Sequence, residues 1–92
     1  MKRLPMKNAE ALAIVEVFAE KHGFHEESRK RPEVIGFARG DSWISVERGV
    51  DGPVVWGCSK GVRISPEVIT AAVRMFPEEA PLRLMDVLES YF

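Results

Sequence analysis

The stretch EVIGFARGDSWISVERG, residues 33–49, decides the fold. Two runs rich in β-branched and aromatic residues flank Gly40-Asp41. A glycine-first pair between such runs suits a two-residue type II′ or I′ turn. With that loop, Phe37 stands opposite Ile44, Ile35 opposite Val46 and Glu33 opposite Arg48. Side chains alternate between faces along a strand. These pairs therefore form one continuous apolar face, the better candidate for the core. The other face carries Ala38 opposite Trp43, Gly36 opposite Ser45 and Val34 opposite Glu47. Trp43 is expected to cover the small residues Ala38 and Gly36.

Working outward, PVVWGC (53–58) reads as a third strand. A connecting loop of even length puts Trp56 on the face of Trp43, and one of odd length puts it on the core face. GVRI (61–64) adds a short fourth strand or an extended lead-in to the next helix. On the other side, FHEESRKRP (24–32) is charged and closed by proline, as expected of a loop or a ragged edge strand.

Three helices flank the sheet. In the first, Ala11, Ile14, Val15 and Phe18 make a buried stripe, with Asn8 as N-cap and Gly23 as the stop. The second starts at Ser65-Pro66-Glu67, an N-cap serine followed by proline and an acid, and Pro77 ends it. Its buried stripe is Ile69, Ala72, Val73 and Phe76. The last helix contains Pro81 in its first turn, with Leu84, Met85, Leu88, Tyr91 and Phe92 on one face. The expected architecture is α+β in the order α-β-β-β-α-α. Its antiparallel sheet has three strands, or four if GVRI pairs, with the helices packed mainly on one face. Residues 1–92 read as a single domain.

Of the 92 residues, 46% are apolar and the formal net charge is −1. That balance argues against a strong non-specific nucleic-acid binder, which needs a basic excess. Cys58 is the one cysteine, which excludes an internal disulfide and a cysteine zinc cluster. A reducing, cytoplasmic compartment is expected. Glu10, Glu16 and Glu20 interrupt the apolar N-terminal stretch, so it does not read as a secretory leader.

No catalytic constellation stands out. His22 and His25 are separated by the helix-stopping Gly23, so they need not share a face. Asp41 and Asp51 sit beside turn glycines, where aspartate serves the backbone. The GCSKG segment lacks the phosphate-loop pattern. The order of helix, Gly23-Phe24, strand hairpin and helix is similar to that of small double-stranded-RNA-binding-like domains, including one class of bacterial toxin ribonucleases. The Gly-Ser-His strand motif that carries that toxin activity is absent here, so no residue role is carried over.

The functional expectation is therefore a surface, not a reaction. The face around Trp43 is either wrapped by the C-terminal helix or open to a partner. If open, it suits a non-catalytic protein-binding module, an inhibitor, adaptor or small regulatory subunit of the type found in bacteria and phages. A second copy of the chain is one candidate partner, and no cofactor or metal is expected. The working residues are Trp43 and Trp56 for contact area, with Glu47, Arg29, Lys30 and Arg31 for orientation. The alternative is a nucleic-acid-binding regulator using the basic run Arg29–Arg31 and the aromatic face. The arrangement of charge separates the two. Converging bases without acids favour nucleic acid; intermixed acids and bases around an exposed Trp43 favour protein.

Overall fold

The computed structural model describes residues 2–27 and 31–92. The chain is α+β, with three α-helices and a five-stranded antiparallel sheet. Helix α1 spans Asn8–His22, α2 spans Pro66–Arg74 and α3 spans Ala80–Tyr91; a 3-10 turn, Pro77–Glu79, precedes α3. The strands are β1 His25–Glu27, β2 Val34–Arg39, β3 Ser42–Glu47, β4 Val54–Ser59 and β5 Val62–Ile64. They pair in chain order from β1 to β5. The strand count is thus five rather than three or four. Both additions are short edge strands, His25–Glu27 and Val62–Ile64, in which period-two patterning has too few residues to read.

The central hairpin has the register expected from its turn. Ile35 pairs with Val46, Phe37 with Ile44 and Ala38 with Trp43. Gly40 takes φ 59° while Asp41 stays at negative φ, the pattern of a glycine-first type II′ turn. A second tight turn, Lys60-Gly61, joins β4 to β5, with both residues left-handed at φ 51° and 83°.

Ile35, Phe37, Ile44, Val46, Val55 and Ile64 form one face and merge with helix residues Val15, Phe18, Ile69, Val73, Leu84 and Leu88 into one buried cluster. Helix α3 packs on α1 and α2, α1 lies on β3, and α2 lies on β4. The N-terminal segment joins the same core through Leu4, whose N–H donates to the Pro53 carbonyl at 2.9 Å.

Three local expectations are corrected. Lys7, not Asn8, occupies the N-cap of α1, and its N–H donates to Glu10 at 2.9 Å. The Asn8 side chain instead bridges to the β3–β4 loop, accepting from the Gly49 N–H and donating to its carbonyl. Helix α2 stops at Arg74, short of Pro77, because the residue before a proline avoids helical geometry. Phe76 thus leaves the stripe and is exposed, with the Arg83 guanidinium 4.2 Å above its ring. In α3, Val87 is buried and Tyr91 is exposed, so the buried face is rotated from the expected one. The start of α2 is as anticipated: Ser65 Oγ accepts from the Val68 N–H at 3.3 Å, and Pro66 opens the helix.

Candidate functional site

The face opposite the core can be read as three rows across the strands. Paired residues of neighbouring strands share a face. The first row runs His25, Ala38, Trp43, Cys58, Arg63. The second runs Glu27, Gly36, Ser45, Trp56. The third runs Val34, Glu47, Val54. The β3–β4 loop, residues 48–53, has even length, and this parity puts Trp56 on the face of Trp43. The two tryptophans are diagonal neighbours on adjacent strands, a spacing of roughly 7–8 Å.

Helix α3 does not wrap this face. Trp43 and Trp56 lie outside the core cluster and outside the hydrophobic residues packed against it. Trp43 is 37% exposed, high for so large a ring. Nor does it cover Gly36. A methyl group added there would meet only Ser45 Oγ, at 3.9 Å. The small residues Gly36, Ala38 and Ser45 thus form a shallow floor beside the Trp43 ring.

A depression of about 250 Å³ opens at the other end of the face, around Trp56. Val54 and Pro66 supply the rest of its apolar lining, and Lys2, Arg31, Arg63 and Glu47 its charged lining. Lys2 arrives from the N-terminal segment, held by Thr70 Oγ1 donating to the Lys2 carbonyl at 2.9 Å. Arg31 pairs with Glu47 at 3.3 Å and with Glu33 at 3.5 Å. Lys2 and Arg63 have no ionic partner among the described residues.

The expected site residues therefore divide. Trp43, Trp56, Glu47 and Arg31 come together on or beside one face. Arg29 and Lys30 lie outside the described residues. Arg39 does not join them: its guanidinium donates to the His22 carbonyl and sits 4.5 Å over the Phe24 ring, capping α1. Sequence reasoning missed Lys2, which reaches the face only through the fold of the N-terminal segment. Arg63 carried no strong signal of its own, since its position depends on the Lys60-Gly61 turn.

The remaining titratable groups lie outside the depression. His22 bonds Glu89 at 3.0 Å, joining α1 to α3, and Lys21 reaches the same carboxylate at 3.0 Å. The His22 bond, followed by that of Lys21, holds the Glu89 carboxyl below the usual carboxylate range. Cys58 Sγ lies 3.9 Å from the Asp41 carbonyl, with no histidine bonded to it. Among the described residues, no three of His, Cys, Asp and Glu gather as a metal site requires. No described helix is long and apolar enough to cross a membrane. Comparisons with protein-family models, curated proteins and solved structures give no match.

Proposed function

We infer that the chain is a non-catalytic protein-binding module that works through the open sheet face. One observation carries this reading. The five strands bury one face under helices and leave the other with an exposed Trp43, a second tryptophan beside it, and acids intermixed with bases. Tryptophan supplies large contact area with little loss of side-chain freedom, and it is enriched where binding energy concentrates. Shallow small-residue positions beside it allow a partner to lie flat on the strands. Charge on the rim sets orientation and association rate more than affinity.

The pattern of charge favours protein over nucleic acid. Glu27, Glu47 and Glu33 interrupt the bases, and Arg31 is engaged by two of these carboxylates. A phosphate backbone gains affinity from a continuous basic track, and among the described residues such a track is broken by these carboxylates.

The test is capture from lysate of the native host on the immobilised chain, in nuclease-treated and untreated halves, beside Trp43→Ala and Trp56→Ala. The expected result is a specific protein retained in both halves and lost with either variant. Retention independent of both tryptophans refutes the assignment to this face. Recovery of nucleic acid, with accompanying proteins lost after nuclease, refutes the protein-binding reading.

A further inference from the structure

We propose that the depression beside Trp56 anchors an Asp or Glu side chain of the bound protein between Lys2 and Arg63, a step that rests on the protein-binding reading of the same face. The depression holds three cations and one carboxylate. Arg31 is already engaged by Glu47 at 3.3 Å and by Glu33 at 3.5 Å. Lys2 and Arg63 remain without an ionic partner among the described residues. Pro66, the first residue of the nine-residue helix α2, lines the same depression. The positive end of that helix adds to the field of the two cations. The remaining lining, Trp56 and Val54, is apolar and suits the neighbours of an acidic residue.

Geometry favours a single carboxylate over a nucleic-acid strand. Glu47 lies within the depression, and Glu27 lies in the same row as Trp56. A polyanion crossing the face has to pass both carboxylates. One Asp or Glu flanked by apolar residues places its charge at Lys2 and Arg63 and presents none to the acids beyond. The anchor also gives the face a direction, because the free bases lie at the β5 side and Glu27 at the β1 side.

The experiment selects a phage-displayed library of random twelve-residue peptides on the immobilised full chain. Clones that also bind the Trp43→Ala/Trp56→Ala double variant are subtracted. Enriched peptides are synthesised, and their Kd for the chain is measured by fluorescence anisotropy. A labelled single-stranded RNA of twenty nucleotides is titrated in parallel. The expected result is enrichment of Asp or Glu, with affinity falling about tenfold when that acid becomes its amide and by a similar factor in Arg63→Glu. Lys2→Glu is the second variant; both side chains are exposed, so folding is not at stake. A peptide carrying Lys in place of the acid is expected to recover affinity for Arg63→Glu. Peptides that need the tryptophans but show no acidic preference, with Kd unchanged in Arg63→Glu, overturn the anchor and leave the protein-binding face standing. Failure to enrich anything over the double variant overturns both. RNA binding abolished by Arg63→Glu overturns the anchor by giving the bases to a phosphate ligand.

Discussion

Gly57→Ala tests how tightly the sheet and the last residue of the chain are fitted. Gly57 lies opposite Ile44 on the core face of β4 and is itself buried. A Cβ built there comes within 2.7 Å of Phe92 Cζ and 2.9 Å of its Cε1, and closer still to the cross-strand carbonyl of Trp43. Carbon pairs settle at about 3.5–4.0 Å, so the ring has to retreat by about 1 Å. Phe92 has limited freedom to do so. Its N–H donates to the Leu88 carbonyl at 2.9 Å, and its ring meets Phe18 edge-on at 6.4 Å between centroids. Loss of that aromatic contact costs about 0.5–1.5 kcal/mol. The Trp43 carbonyl belongs to a central strand and moves only with the sheet. Overpacking of this kind costs about 1–3 kcal/mol, and we expect about 2–3 kcal/mol for Gly57→Ala. Urea unfolding followed by circular dichroism gives the value from the change in midpoint. Phe92→Ala removes the ring side of the conflict, so Gly57→Ala should cost about 1 kcal/mol less in that background. A Gly57→Ala protein within about 0.5 kcal/mol of wild type, with additive behaviour in the cycle, would refute the close-packing argument.

Further outcomes follow from the same structure. Asn8→Ala removes both hydrogen bonds to Gly49 and should destabilise by about 1–2 kcal/mol in urea unfolding, with a neutral result counting against the bridge. Lys60→Asn relieves a left-handed φ of 51° and should stabilise by about 0.5–1 kcal/mol, read as a raised thermal midpoint. The lowered pKa of Glu89 means that its ionised form is favoured in the folded state, by His22 first and then Lys21. Its contribution is therefore present above the unfolded carboxylate pKa and lost as pH falls through the folded one. The thermal midpoints of wild type and Glu89→Gln should converge as pH drops below about 4, and a gap constant across that range would exclude the linkage.

Local chemistry carried the hairpin. Gly40 selects the turn, the turn sets the register, and alternation then assigns Phe37, Ile44 and Val46 to one face and Trp43 to the other. Ser65-Pro66 and Gly23 likewise bound their helices through backbone preferences that no distant residue needs to supply. The failures occur where distant contacts outweigh local ones. Asn8 has the chemistry of a cap, yet Gly49 offers it two hydrogen bonds across the fold. Phe76 fits a helical stripe, but the helix ends before it.

The candidate site shows the same division. The placement of Trp43 opposite Ala38, away from the apolar face, follows from turn chemistry and the two-residue period of a strand alone. Whether that face is open depends on where α3 docks, and α3 lies on α1 and α2 instead. The face of Trp56 hangs on the parity of a loop whose residues act only through its closed length. The gathering of Lys2, Arg31 and Arg63 around that ring joins three segments far apart in sequence. Backbone preferences act over a few residues, so sequence determined the central hairpin, its turn and its two faces. Burial acts on the whole chain at once, so only the tertiary structure decided which face was covered and which charges stand beside the two tryptophans.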